Sequence, residues 1–317
     1  MSHRIALNFE DGVTRFITAD AHESIADAAY RQGVNVPLDC RDGACGTCKA
    51  FCQSGEYEEG FYIEDALTDE EAEKGFLLCC QAQAQSDMVI DIPAASTACK
   101  VADKPVVSEV AAIERLSANR VRLSLKAAEG ALPEFLPGQY VNMEIPGLAG
   151  VSRSYSFSNA SGAQVATFLI RNVPGGAMGR YLDEQAAPGD RITLTGPLGS
   201  FYLRAPQRPV LMLGGGTGVA PLLSMLEALA AGGGCQHPIH LLYGVHEEED
   251  LVEMERLEEL ARRIPGFTYA TTCSAPDNAH PRKGFVTDHF GAEQLNGGDI
   301  DVYLCGPTAM VDAVRRH

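Results

Sequence analysis

The residues that promise chemistry earliest in this chain are sulfur ligands. Cys40-Arg-Asp-Gly-Ala-Cys45-Gly-Thr-Cys48 sets three thiols in a C-x4-C-x2-C array, and Cys80 stands some thirty residues further on. That spacing is the one used to hold a [2Fe-2S] centre. Four thiolates must converge on two irons while main-chain N–H groups turn toward the sulfurs. Gly43, Ala44, Gly46 and Thr47 are small enough for the chain to wrap closely, and the glycines are free to take φ > 0. A zinc site is the competing reading, although its cysteine pairs usually have symmetric spacings. Cys79 competes for the fourth place, and Cys80-Gln81 continues the usual pattern. Cys52 and Cys99 read as small buried or surface thiols.

A second constellation is Arg153-Ser154-Tyr155-Ser156, preceded by Pro137-Gly138-Gln139-Tyr140. A planar guanidinium suits a pyrophosphate, a phenol ring can stack on an isoalloxazine, and the Ser156 hydroxyl can reach the flavin N5 and O4 edge. Strand alternation puts Arg153 and Tyr155 on one face and Ser154 and Ser156 on the other, so a bend or bulge is needed for all to meet one ligand. Taken alone, a bland barrel strand explains the motif as well. Arg171-Asn-Val-Pro-Gly175-Gly176-Ala-Met-Gly179 adds a helix opening whose free N–H groups form an anion site for the pyrophosphate of FAD.

A third is Val210-Leu-Met-Leu213 running into Gly214-Gly-Gly-Thr-Gly218-Val-Ala-Pro221, a strand, a glycine turn and a helix start. This is a phosphate cradle of a doubly wound fold. The absence of G-K-[ST] excludes a P-loop ATPase, and Pro221, suited to a first helical turn, stands where a third glycine is usual. Cys305-Gly306-Pro307 closes the last expected strand, where open sheets place ligands. Cys305 either flanks a reacting nicotinamide carbon or is a small strand-end packing residue. His246-Glu-Glu-Glu-Asp250 follows another strand and offers no Arg or Lys to a 2′-phosphate, which favours NADH over NADPH; the same acids also suit a solvated helix start.

Three folding patterns position these groups. Ile5–Phe9 and Val13–Thr18 form a hairpin about Asp11-Gly12, Ser24 caps a helix that Gly33 ends, Thr68-Asp-Glu-Glu71 is a capping box, and Met88–Ile92 alternates as a closing strand. A β-grasp domain over 1–98 is the expectation. Residues 93–105 lose periodicity and read as a linker. Short strands at Val121–Leu125, Tyr140–Ile145, Thr167–Ile170 and Arg191–Leu194, with a helix at Ala177–Gln185, predict an antiparallel β-barrel over 105–205. From 206 to 317 strands and helices alternate: Val210–Leu213, Val219–Ala231, Ile239–Val245, Asp250–Arg263, Thr268–Thr272 and Val302–Cys305. That rhythm predicts a doubly wound parallel sheet, so the chain is an α+β and α/β multidomain protein. It stops at Arg315-Arg316-His317, about two turns into a helix, which reads as a truncated end.

With 317 residues, 45% apolar and 21% charged, the chain is of ordinary globular composition. No apolar run approaches the roughly 20 residues of a membrane span and no basic-then-apolar leader opens it, so a cytoplasmic location is expected. Clustered cysteines in that reducing compartment point to metal chemistry. A net charge of −17 argues against nucleic acid. The first hundred residues hold 18 acids against 7 bases, and Glu56–Glu73 is acidic without a base, either a docking face for a basic partner or a solvated surface.

The order Cys40, Cys45, Cys48, Cys80, then Arg153-x-Tyr155-Ser156, Gly216-x-Gly218-x-x-Pro221 and Cys305-Gly306-Pro307 resembles the ferredoxin-NAD(P)⁺ reductase superfamily with a ferredoxin fused in front. Tyr62-Ile-Glu-Asp-Ala-Leu-Thr68 and Leu194-Thr-Gly-Pro-Leu-Gly-Ser-Phe-Tyr-Leu203 look like the reductase components of benzoate, toluate and anthranilate 1,2-dioxygenases. The resemblance implies that Arg153, Tyr155 and Ser156 hold FAD with Gly176 at its pyrophosphate. It also implies that Gly216, Gly218, Pro221, Gly306 and Pro307 position NADH, and that Cys305 approaches its nicotinamide. The implied activity carries hydride from NADH to FAD and single electrons through the [2Fe-2S] centre to a terminal Rieske oxygenase. The chain departs from the group at Gly179, where Ser or Thr is usual, and by ending at His317, where its relatives continue to an aromatic segment near the flavin. Alternatives are the reductase of a di-iron monooxygenase, an NADH-binding flavin reductase or redox sensor, and, in another class, a zinc-binding interaction module.

Overall fold

The computed structural model describes residues 2–38, 43, 46–64, 66–97, 105–148, 151–199 and 201–317. The chain divides into two compact units, Met1–Lys104 with Gly196–Phe201, and Pro105–Thr195 with Tyr202–His317.

The first unit contains β1 (His3–Phe9), β2 (Thr14–Ala19), α1 (Ile25–Arg31), β3 (Lys49–Ser54), β4 (Tyr57–Glu58), α2 (Asp69–Glu73), β5 (Phe76–Leu78), β6 (Gln83–Ala84) and β7 (Met88–Ile92). β1 alternates buried and half-exposed residues, so Ile5 and Leu7 enter the core with Ile17, Ile25, Leu77 and Ile90. Ser24 caps α1 by accepting from Asp27 N, and Thr68 and Glu71 form the reciprocal capping box of α2. The sheet order is β2-β1-β7-β3-β5. Met88–Ile92 is thus central, parallel to β1 and antiparallel to β3, where the sequence suggested a closing strand. The expected linker also starts later than 93. Ala94 is fully buried and its carbonyl accepts from Glu10 N, while Asp11 accepts from both the N–H and hydroxyl of Ser96. The remainder of that linker, 98–104, lies outside the described residues.

The second unit begins with β8 (Val106–Ser117), β9 (Arg120–Ala127), β10 (Tyr140–Glu144), β11 (Ser152–Ser156), β12 (Val165–Arg171), α3 (Ala177–Glu184) and β13 (Arg191–Leu198). Their order, β11-β10-β13-β8-β9-β12, curls until Phe157 bridges Phe168 and the two edges meet. Val121, Leu123, Leu125, Val141, Phe157 and Phe168 fill the barrel, and α3 adds Met178, Tyr181 and Leu182.

The unit continues as β14 (Val210–Gly215), a tight turn Gly216–Gly218, α4 (Val219–Ala231), β15 (Ile239–Val245), α5 (Met254–Arg263), β16 (Phe267–Cys273), β17 (Asp301–Cys305) and α6 (Thr308–Arg316). All four strands run parallel in the order β16-β15-β14-β17. β14 is buried along its whole length because both faces are covered. Leu211 and Leu213 meet Phe290, Met310 and Val314 on one face, and on the other Gly214 lies against Leu222 of α4. The helix expected from Asp250 starts at Met254. Glu248–Asp250 is a separate short turn, and Glu253 interrupts with a left-handed φ of 65°.

Candidate functional site

Cys48 leads into β3 and Cys80 follows β5, two neighbouring strands of one sheet. Both thiols are buried, and Cys80 N donates to Cys48 Sγ at 3.5 Å. Gln81 Nε2 lies 3.7 Å from Cys80 Sγ, and the Gly43 N–H is directed at the same sulfur. The hydrogen bond with Cys48 draws the Cys80 thiol down to about 6, and the same bond raises Cys48. Cys79 differs: its thiol is buried without those donors, and burial lifts it to about 12. Cys52 turns away to the Ser54 carbonyl. Cys40, Cys45 and Cys99 lie outside the described residues, and among the described residues no three His, Cys, Asp or Glu side chains converge as metal ligands. The cradle is nevertheless cut to fit. Gly43 has φ of 80°, and a Cβ there would strike the Phe61 carbonyl. Gly46, at φ of 72°, would bring a Cβ to 3.0 Å from the Ala66 carbonyl. Phe61, Ile63 and Ala66, inside the acidic stretch, are therefore laid directly against Gly43 and Gly46, with Ile63 N donating to Gly43 O.

Arg153, Tyr155 and Ser156 lie on β11, an edge strand in regular register with β10. Arg153 and Tyr155 stand opposite Met143 and Val141, whereas Ser154 and Ser156 stand opposite Asn142 and Tyr140. No bulge interrupts this pair, so of the bend or bulge that the sequence required, the bulge is absent from β11. Tyr155 leans on the barrel core, and burial pushes its phenol up to about 12. Arg153 is exposed, with Nη1 donating to the Ser152 carbonyl. Gly176 is the N-cap of α3 in extended conformation, and as a glycine it brings no capping side chain to the N–H groups behind it. The first turn carries no acid, so an anion meets donors without repulsion. Gly179 has Asn172 Oδ1 where a Cβ would go, so this position excludes the Ser or Thr side chain unless Asn172 moves.

The third group converges tightly. Gly214 registers with Cys305 across β14 and β17. A Cβ on Gly218 would strike the Cys305 carbonyl and come within 2.8 Å of Gly306 Cα. One on Gly306 would stand 3.1 Å from Gly215 N, and one on Gly215 would stand 2.7 Å from Pro307 Cδ. Gly216 takes φ of 55°, Pro221 is buried in the first turn of α4, and Cys305 is half-buried. Two bare backbones thus meet at the carboxyl ends of β14 and β17, where the strand order reverses and dinucleotides enter open sheets. Glu247, Glu248 and Glu249 line a neighbouring cleft of about 500 Å³ with Asp277 and Asn278, and no Arg or Lys is among its lining residues. Asp250 turns inward and is buried.

The sequence reading missed the charged groups that tie the barrel to the parallel sheet. Arg120 pairs with Asp250, Arg122 with Glu253, and Arg256 of α5 donates to the Ser158 carbonyl on the barrel. Their partners are far away in sequence or on separate elements. The available hint was an Arg-x-Arg pair on a barrel strand, where one face must be covered.

Family models match all three regions: a 2Fe-2S iron-sulfur cluster binding domain at 8–85, an oxidoreductase FAD-binding domain at 107–202 and an oxidoreductase NAD-binding domain at 212–316. The fold and these matches define an iron-sulfur flavoprotein oxidoreductase that uses [2Fe-2S], FAD and NADH. The chain is 52% identical to the toluate 1,2-dioxygenase electron transfer component of Pseudomonas putida, over 100% of this chain and 94% of that one. It is 49% identical to the 2-halobenzoate 1,2-dioxygenase electron transfer component of Burkholderia cepacia, over 99% and 93%. A solved cytochrome P450 reductase from Amycolatopsis superposes with a TM-score of 0.73 at 34% identity, covering 98% of this chain and 93% of that one. The chain belongs to the family of 1,2-dioxygenase electron transfer components, which implies a terminal oxygenase as partner. No helix among the described residues is long and apolar enough to cross a membrane.

Proposed function

We propose that the chain takes electrons from NADH and delivers them to the Rieske-type terminal oxygenase of a benzoate-type ring-dihydroxylating system in the cytoplasm. The observation that carries this reading is full-length similarity to components serving oxygenases of two substituted benzoates. Bound FAD supplies the exchange between a two-electron hydride and the single electrons that a [2Fe-2S] centre accepts.

The protein's part is binding and orientation. Cys40, Cys45, Cys48 and Cys80 hold the cluster, with Gly43 and Gln81 directing N–H groups at a ligand sulfur. Arg153 and the N–H groups behind Gly176 neutralise the FAD pyrophosphate, Tyr155 provides a ring face, and Ser156 offers its hydroxyl at the reacting edge of the flavin. Gly216 and Gly218 let dinucleotide phosphates approach bare backbone, and Pro221 starts α4 without needing an N–H partner. Gly306 and Pro307 leave the facing wall free of bulk, and Cys305 stands at the nicotinamide. Hydride transfer needs no acid or base from the chain. Glu247–Glu249 repel a 2′-phosphate, which selects NADH.

Reconstitution tests this. Purified protein with a benzoate-type Rieske oxygenase is expected to give NADH-dependent ring cis-diol. Failure to support that oxygenase while reducing cytochrome c normally, or equal service to a di-iron hydroxylase, refutes the assignment.

A further inference from the structure

Strand β9 carries Arg120 and Arg122 two residues apart, and each is paired with an acid of the segment joining β15 to α5. Arg120 Nη2 lies 2.9 Å from Asp250 Oδ2, with the two side chains 8% and 6% exposed. Arg122 Nη2 lies 2.8 Å from Glu253 Oε2, and the Glu253 side chain is wholly buried. Ser117 donates to the other Asp250 oxygen at 2.9 Å, and the Tyr243 hydroxyl donates to the Asp250 carbonyl at 3.2 Å. Arg256 comes within 3.7 Å of Glu253 and binds both Glu227 and the Ser158 carbonyl on the barrel.

As a device for stability alone this is a poor design. Arg120 Nε is buried with no hydrogen-bond partner, and Glu253 holds a left-handed backbone that disfavours a side chain. Buried ion pairs seldom outdo an apolar pair of equal volume, because desolvation offsets their attraction. Position is what they specify. The clamped segment leaves the carboxyl end of β15 and carries Glu247–Glu249, which line the cleft shared with Asp277 and Asn278. On its other side, Arg120 Nη2 stands 3.6 Å from where a Cβ on Gly216 would be, against the first residue of the glycine turn. One barrel arginine therefore binds the segment that carries the acidic rim and lies beside the glycine turn.

We propose that Arg120 is a positioning residue for NADH, which acts through Asp250 to fix the glycine turn and the acidic rim at a preset distance from the barrel. This rests on the reading that NADH crosses the Gly216–Gly218 turn.

The test uses the holoenzyme and NADH-to-ferricyanide reduction, with flavin content and melting temperature measured alongside. Arg120→Met is expected to raise KM for NADH about tenfold, with kcat within about threefold and flavin content unchanged. Arg120→Lys should recover part of the loss, and Asp250→Asn, which keeps the volume and the Ser117 bond, should shift KM the same way. Where Arg120→Met does not fold, those two variants decide by the same criterion. A KM within about twofold of the parent in the folded variants, or kcat falling in step with flavin loss, overturns the proposal. Gly218→Ala separates the premises. If it leaves KM unchanged, NADH does not cross the turn and the underlying reading fails. If it raises KM while the Arg120 and Asp250 variants keep the parent value, only the clamp fails.

Discussion

Adjacent Cys79 and Cys80 give an experiment in which two similar substitutions should have opposite effects. Cys79 is 1% exposed, and its main chain does structural duty: its N–H donates to the Cys48 carbonyl at 3.1 Å and its carbonyl accepts from Ala26 N at 2.8 Å. Cys79→Ala leaves both bonds intact and removes one buried sulfur. Loss of an apolar group of that size, with a small void left behind, costs about 1–2 kcal/mol. For a unit of this size, at about 4–8 °C per kcal/mol, melting should fall by roughly 5–15 °C. The cluster should survive, with about two irons per chain and a paramagnetic signal on reduction. Cys80→Ala removes the sulfur that faces Cys48 and collects the Gly43 and Gln81 donors, so iron and signal should vanish. NADH-to-ferricyanide reduction should persist in both proteins, since it needs only the flavin. Iron analysis that finds the cluster lost from Cys79→Ala and kept in Cys80→Ala would refute the assignment of the fourth ligand.

Arg153→Ala is expected to lower FAD content severalfold, measured by the flavin-to-protein absorbance ratio, and to leave iron content unchanged. Gly218→Ala drives a Cβ into the Cys305 carbonyl and should lower kcat/KM for NADH by about tenfold or more in steady-state assays, with flavin retained. Glu71 is held below its ordinary value of 4.5, first by Lys49 and then by the Thr68 N–H. A lowered carboxylate stabilises the fold above its unfolded pKa and stops doing so as pH falls through its folded pKa. Glu71→Gln should thus melt lower than the parent at pH 7, with the gap closing below about pH 4.5. Neutralising Glu58, Glu59 and Glu64 should reduce the salt dependence of oxygenase reduction, and an unchanged dependence would remove the acidic stretch as a docking face. Glu71 is spared in that variant because it is already committed to Lys49 and the cap.

What could be read from the sequence was whatever a local constraint writes into it. Metal ligation imposes fixed cysteine spacings, and helix caps need particular side chains three residues apart, so the cysteine loop, the Ser24 cap and the Thr68–Glu71 box stood out. β8 did not, although it is the longest strand described. Its register shifts between Val110 and Ala112 and again between Arg115 and Ser117, which breaks the alternation a reader looks for. The start of α5 was misplaced for a related reason. An acidic run resembles a first helical turn, yet Asp250 is drawn inward by Arg120, and the helix waits for Met254. Pairings such as Arg120 with Asp250, 130 residues apart, leave no periodic trace at all.

The glycine turn shows the same separation between a motif and the physics beneath it. In a G-x-G-x-x-G loop the third glycine lets the helix lie close on the strand. Here that position is Pro221, which by the usual fingerprint weakens the case for a dinucleotide. The close approach is nonetheless made, by a glycine on the strand: a Cβ on Gly214 would stand 3.2 Å from Leu222 Cδ1 and 3.5 Å from Val219 Cα. Gly218 and Gly306 then bring the turn down onto the end of β17. The requirement for bare backbone was met by moving it from helix to strand, which frees the first turn of α4 to take a proline. The demand that survives is for two main chains within contact distance, and the residue that satisfies it is free to change place.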